Sequence, residues 1–458
     1  MKNLKLNRRS FLKQCALTSA AGYTGAAATL GGLSMTANAA GRPNEYRAMV
    51  CVYLTGGNDL NMLVPNDSGR YQTYSDLRGP LAIANDEQLT ISSGIGADQQ
   101  SYGLHPACGA IKTLYENEKL AFVANVGALL EPTTSSNFSN REVRLPPKLF
   151  SHLSQKDFVR IGLPFNGEKV SGWAGRIADL YNDGRTPLNL SLVGDNVWQR
   201  GNITNAYALA GGGIPRVVGY RPEIGFDQED ARRVALDEMN QLSHENLLVR
   251  AYGKRMHDSL SLSRNLREGS QEQLIELTTP FPSTRLGQSL RNVARLINAR
   301  QGLGMPQQTF YVNSAGWDHH DNLLFRHRDN LQELSDALSA FYAATEEMGL
   351  ADQVVSFTNS DFGRTLVPNS NGSDHAWGGT QLVMGGKVDG GQVFGEFPEF
   401  SADDPQYIDF RGTLVPTIST DQMSATIAKW FGDFSTSEVN ELFPNLMEFD
   451  TSDLGFML

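Results

Sequence analysis

A chain of 458 residues with 40% hydrophobic side chains can bury a large core, and beyond its first 39 residues no stretch is long and apolar enough to cross a bilayer. Its formal charge is −11 at pH 7, and setting aside residues 1–39, which hold five basic side chains (Lys2, Lys5, Arg8, Arg9, Lys13) and no acidic one, makes it −16. A chain this acidic is a poor nucleic-acid binder and is not drawn as a whole to anionic membrane surfaces.

Asn7-Arg8-Arg9-Ser10-Phe11-Leu12-Lys13 precedes an Ala/Gly-rich apolar run over 16–33 and then Ala37-Asn38-Ala39. That is the pattern of a twin-arginine export signal with a small-x-small cleavage site. The predicted division is a signal over 1–39, with the twin-arginine translocase as partner during export, and one domain over 40–458 that ends up periplasmic or extracellular. The route carries folded proteins, which fits a cofactor acquired before export. Cys15 leaves with the signal; Cys51 and Cys108 read as small buried residues, with no indication of a disulfide between them.

The strand-like run 48–54 ends in Thr55-Gly56-Gly57-Asn58-Asp59, and 66–103 reads as surface loop with short helices. A helix over 106–117 and a strand over 119–126 follow, an order that predicts a parallel α/β sheet. Ser151 stands at the entry to a helix running to about Arg160, where its hydroxyl serves either as an N-cap or as an oxygen nucleophile beside a metal. A helix opens near 171–176 and a strand spans 188–193. Gly211-Gly212-Gly213-Ile214-Pro215 is a loop without the lysine and hydroxyl of a phosphate-binding loop. From about 226 to 305 the texture is charged and helical, an insertion that covers the sheet or caps the site, with Leu286, Leu290, Val293 and Ile297 on one face.

Strands at 308–313 and 353–358 each run into a polar cluster at their C-terminal edge, where open α/β sheets bind ligands. The clusters are Gly316-Trp317-Asp318-His319-His320, Ser360-Asp361-Phe362-Gly363-Arg364 and Ser373-Asp374-His375. Five of the eight histidines (His105, His152, His319, His320, His375) fall in or beside such segments, a concentration of nitrogen and oxygen donors suited to a divalent cation. Asp318 and His320, two apart, can point the same way on an extended segment. With Asp59, Asp361 and His375 they make enough donors for one metal or two, although Asp318 and Asp361 also read as helix caps. His319 and His327 are expected as exposed bystanders. Arg364 suits a tetrahedral oxyanion or a neighbouring carboxylate. A helix with Leu331, Leu334, Leu338 and Phe341 ends at Gly349, 380–384 is expected as the last strand, and Thr420-Asp421 is expected to cap a closing helix with Met423, Ile427 and Trp430 inward.

These segments, with Phe150-Ser151-His152, Gly172-Trp173-Ala174-Gly175-Arg176, Asp374-His375-Ala376-Trp377-Gly378-Gly379 and Pro416-Thr417-Ile418-Ser419-Thr420-Asp421-Gln422, resemble the exported family of unknown function catalogued as DUF1501. That family in turn resembles the alkaline phosphatase and sulfatase superfamily. The resemblance implies an alkaline-phosphatase-like α/β fold, a central mostly parallel sheet flanked by helices, with a metal site at the C-terminal strand edges. It implies Asp59, Asp318, His320, Asp361 and His375 as metal ligands, with zinc, calcium or manganese as the cation, and Ser151 or its neighbour His152 near the nucleophile's position. Phe362 stands where the superfamily has a histidine, which implies that one of two metal positions lacks a ligand. The Cys-x-Pro-x-Arg of sulfatases is absent. Two readings follow: a hydrolase of phosphate or sulfate esters, on a small-molecule or glycan substrate, with Ser151 or water attacking; or a non-catalytic binding or assembly protein of the periplasm or cell surface.

Overall fold

The computed structural model describes residue 43 and residues 45–92, 101–162, 171–181, 188–209, 227–242, 245–272, 276–400 and 406–458. The export signal at 1–39 and the glycine loop at 211–215 lie outside them. In chain order the elements are β1 (Arg47–Thr55), β2 (Leu63–Pro65), α1 (Ser68–Arg78), β3 (Leu89–Ser92), β4 (Ser101–Leu104), α2 (Gly109–Glu116), β5 (Leu120–Gly127), α3 (Ser135–Asn140), α4 (His152–Ile161) and α5 (Trp173–Tyr181). Then come β6 (Asn189–Ser191), β7 (Tyr207–Ala208), α6 (Asp227–Gln241), α7 (Leu247–Glu272), α8 (Arg285–Asn298), β8 (Gln307–Ala315), α9 (Leu323–Glu347) and β9 (Val354–Ser360). The chain closes with β10 (Gly379–Gly385), β11 (Val393–Phe394), β12 (Ile418–Ser419), α10 (Thr420–Gly432) and α11 (Thr436–Leu442).

Nine strands form the main sheet in the order β11-β5-β10-β9-β1-β8-β6-β7, with β12 also on β5. All its pairings are parallel except those of β10, which runs against both β5 and β9. The mostly parallel sheet flanked by helices is therefore as expected, with one strand reversed and with two short strands after the one expected to be last. Central β1 is buried from Ala48 to Leu54 on both faces, which is why its sequence is continuously apolar and does not alternate. Helix α8 turns Leu286, Leu290, Val293 and Ile297 into the core, and α9 does the same with Leu331, Leu334, Leu338 and Phe341.

Two local expectations change. Within 66–103 the described residues form an eleven-residue helix, α1, capped by Asp67, and an antiparallel sheet β2-β4-β3. Helix α1 buries only Arg70, Tyr74 and Arg78, so it shows no apolar periodicity to read. Helix α10 is capped one residue early, by a capping box of Ser419 and Gln422, and its Trp430 is only partly covered while Met423 and Ile427 are buried.

Register places the site. Thr55 pairs with Ala315 and Leu54 with Ser360, so β1, β8 and β9 end level at one edge. Because β10 is reversed, its beginning lies there, and His375 reaches that edge by preceding a strand where Asp318 and Asp361 follow one.

Candidate metal centre

The turn after β1 is built for close approach. Gly56 (φ 125°) and Gly57 (φ 98°) adopt backbone conformations that L side chains rarely take, and a Cβ on Gly56 would lie 2.4 Å from the Asp318 backbone nitrogen. The Gly56 N–H donates to Asp361 Oδ2 at 3.1 Å, and the Gly56 and Gly57 carbonyls accept from the Arg364 guanidinium at 3.0 and 3.2 Å. A fully buried arginine thus braces the turn and also pairs with Asp318.

Three imidazoles converge on the Asp318 carboxylate. His320 Nε2 lies 3.0 Å and His375 Nε2 3.4 Å from Oδ1, and His152 Nε2 lies 3.5 Å from Oδ2. His320 Nε2 and His375 Nε2 are themselves 3.0 Å apart. The outer nitrogen of each ring faces oxygen: His152 Nδ1 meets Asp361 Oδ2 at 2.8 Å, His375 Nδ1 meets the Phe150 carbonyl at 2.9 Å, and His320 Nδ1 lies 3.4 Å from Asp374. A carbonyl only accepts, so His375 Nδ1 carries the proton and its Nε2 lone pair points inward. Outer oxygens that fix inner lone pairs are the usual surroundings of metal-binding histidines. Asp361 is held in turn by Tyr53 Oη, which donates at 2.7 Å.

The donor geometry fits a cation. Donor atoms of His152, Asp318 and His375 all lie within 4.8 Å of one another. Two atoms bound at about 2.0–2.2 Å in a tetrahedral shell stand about 3.3–3.5 Å apart, close to the separations here. Electrostatics agrees. Partial burial alone would raise Asp318, but Arg364 and the imidazoles bring its carboxyl below the usual range. The Asp361 hydrogen bond raises His152, while desolvation lowers His375. Phe150 sits at φ 70°, a strained conformation for a bulky residue that costs about 1–3 kcal/mol and here aims its carbonyl at His375.

The structure brings together Asp318, His320, His375 and His152, with Asp361 and Arg364 immediately behind. Asp59 is placed apart from them: its carboxylate is buried, paired with Arg78, and accepts from Ser373 Oγ at 2.9 Å and the Asn61 N–H at 3.0 Å. Arg78 also donates to the Thr365 and Leu366 carbonyls, so the pair ties β1 to the loop after β9. Ser151 is the N-cap residue of α4, yet its hydroxyl makes no capping bond. His319 and His327, expected as exposed, are 0% and 1% exposed. The ring of Phe362 lies against the imidazoles of His152 and His375, with centroids 4.8 and 4.5 Å away. Tyr53, Phe150 and Arg78 contribute without having been singled out as site residues, whereas Asp374 was named among the donor clusters.

Fold and site define an α/β protein with a nitrogen and oxygen donor cluster at the C-terminal edge of its sheet. Residues 222–431 match the family model described as "Protein of unknown function (DUF1501)", the family that the motifs resemble. No curated protein matches the chain. Similar solved structures include Ps i-CgsB in complex with k-i-k-neocarrahexaose, at 10% identity over 89% of this chain and 78% of that one, with a TM-score of 0.34. Another is the PsFucS1 sulfatase from Pseudoalteromonas sp., at 14% identity over 78% and 66%, with a TM-score of 0.29. A third is a mutant of alkaline phosphatase PafA, at 11% identity over 72% and 64%, with a TM-score of 0.28.

Proposed function

We propose that this chain is an exported metal-dependent hydrolase of phosphate or sulfate esters. The observation that carries the reading is the convergence of three imidazole Nε2 atoms on Asp318, each ring held from outside by an oxygen. His152, Asp318, His320 and His375 hold the cation, and Asp361 orients His152. An imidazole-rich set suits zinc over calcium or manganese. When bound, the cation polarises the ester and offsets developing negative charge. Arg364 fixes Asp318 and the glycine turn, so its anion-binding role is through the field it adds at the mouth of the site. Ser151, whose hydroxyl is not spent on capping, supplies the attacking oxygen one residue from the ligand His152 and loses its proton to water. Export rests on the twin-arginine pattern at 7–13; among the described residues no helix is long and apolar enough to cross a membrane.

The second reading, a binding or assembly protein that keeps the fold without the reaction, is favoured by Phe362 against the imidazoles and by Asp59 closed in a buried ion pair. Elemental analysis of the protein purified without added metal, beside Asp318→Ala, separates the cases. Near-stoichiometric zinc that is lost in the variant is the expected result, and it leads to a screen of small-molecule and glycan phosphate and sulfate esters. Equal, metal-free preparations would sink the hydrolase reading.

A further inference from the structure

Arg364, the cation that pairs with Asp318, is spent: it is fully buried, and its guanidinium is taken up by the Gly56, Gly57 and Ser373 carbonyls and by Asp318 itself. Two cations on α4 are not. His152, Lys156 and Arg160 follow one another four positions apart, so they line one stripe of the helix. The Arg160 guanidinium lies 4.8 Å from the Tyr53 ring centroid and 5.2 Å from that of Tyr311, and Lys156 Nζ lies 5.8 Å from the Tyr53 centroid.

What this pair lacks is a counter-ion. The chain holds 50 Asp and Glu against 39 Lys and Arg, yet among the described residues neither Lys156 nor Arg160 forms an ion pair. Arg160 donates to Tyr311 Oη at 2.6 Å, and its Nε is buried without a partner. Burial and the neighbouring guanidinium lower the Lys156 ammonium, and Asp361 and Asp157 only partly offset them. Like charges four apart on a helix repel, and the tyrosine rings answer the face of a cation but not its N–H edges. Such a local conflict is the kind that folds retain at functional positions.

We infer that Lys156 and Arg160 form an anion subsite, outside the metal centre, that takes a phosphate or sulfate group. Ammonium and guanidinium offer only donors, the complement of an oxyanion whose oxygens accept. Both side chains are partly exposed, so the anion reaches them from solvent. At about 1.5 Å per residue, Lys156 and Arg160 stand roughly 6 and 12 Å along α4 from His152, so a group held between them is not the one bound at the metal. It is a free anion or a second charged group on a longer ligand. Tyr53 touches both places, with its ring against the cations and its hydroxyl on Asp361.

The test is calorimetric titration of chelator-treated wild type and of Asp318→Ala with inorganic phosphate and with glucose 6-phosphate, at low ionic strength. Lys156→Gln in either background is expected to weaken binding of both at least about tenfold, and Lys156→Arg to restore most of it. Phosphate should raise the melting midpoint of each parent by mass action, and not that of Lys156→Gln. Without phosphate, Lys156→Gln should melt no lower than its parent, since it relieves a repulsion and breaks no bond; removal of a merely structural lysine would lower the midpoint. With that dependence on Lys156, equal affinity for the two ligands assigns the subsite to the anion alone, and tighter binding of the sugar phosphate assigns it to a group carried on a larger ligand. No phosphate binding by the parents, binding unchanged in Lys156→Gln, or a variant that melts well below its parent would overturn the inference. Metal is absent from every arm, so none of these results bears on the hydrolase reading.

Discussion

His319 and His320 are neighbours in sequence and belong to different worlds. His320 stands at the open edge with Nε2 turned to Asp318, whereas His319 is fully buried with His105 and His327, their rings meeting edge to face around His327 at 5.6 and 5.9 Å. In the buried group each ring nitrogen that is used finds its own separate partner: Asn330 for His319, Asn58 for His327, the Ala107 N–H for His105. In the open group the nitrogens share one target. The lesson is that imidazoles form a centre when their second nitrogens are fixed from outside and their first ones aim at a common point; proximity alone does not suffice.

The largest effect expected from breaking this division is on stability. Arg78→Ala leaves Asp59 as an unpaired buried carboxylate and should cost about 3–5 kcal/mol in chemical denaturation. A cost under about 1 kcal/mol would mean that Asp59 has another cation to answer to. Next comes pH. Burial lowers His105 and His319 to about 4, so the unfolded chain binds their protons first as pH falls below the ordinary imidazole value. Each should therefore contribute stability at pH 7 that is lost between pH 6.5 and 4, about 3 kcal/mol apiece. Denaturation midpoints at pH 7 and 5, compared with those of His319→Gln, measure this; an unchanged pH slope in the variant would contradict it.

Asp361→Asn, which loosens the outer hold on His152, should lower zinc affinity about 10–100-fold by chelator competition, whereas His319→Gln should leave it unaltered. Affinity lost through His319 and kept through Asp361 would invert the comparison. The smallest effect on stability is that of Ser151→Ala. Without a capping bond to lose, the melting point should shift by less than the roughly 1 kcal/mol of an ordinary N-cap, while turnover of any ester substrate should disappear.

Much of this was legible in the sequence because it is local. Strands that end in glycine or aspartate announced β1, β8 and β9, and period-two alternation put Asp318 and His320 on one side. The same alternation puts His319 on the other, facing the core, and His327 follows on the buried side of α9. The partnership of Asp59 with Arg78 was not legible, since it depends on α1, a helix whose buried residues are too few and too polar to show a period. Nor was the reversal of β10: a strand buried along its whole length carries no record of its direction.

That reversal has a consequence for how the molecule tolerates change. The Gly363 N–H donates to the Trp377 carbonyl and the Ala376 N–H to that of Gly363, the Arg364–His375 bridge follows, and the Thr365 N–H donates to the Asp374 carbonyl. Asp361 and His375 are thus clipped to two sides of one short antiparallel ladder, like teeth on either side of a zipper. Their spacing is set by its rungs, but the tip from Pro368 to Gly372 is tied to the site as well: the Asn371 carbonyl accepts from the Leu323 N–H at 3.0 Å and a Cβ on Gly372 would lie 2.2 Å from the His320 carbonyl, so a change of length or bulk there would shift His320 even where Asp361 and His375 keep their distance.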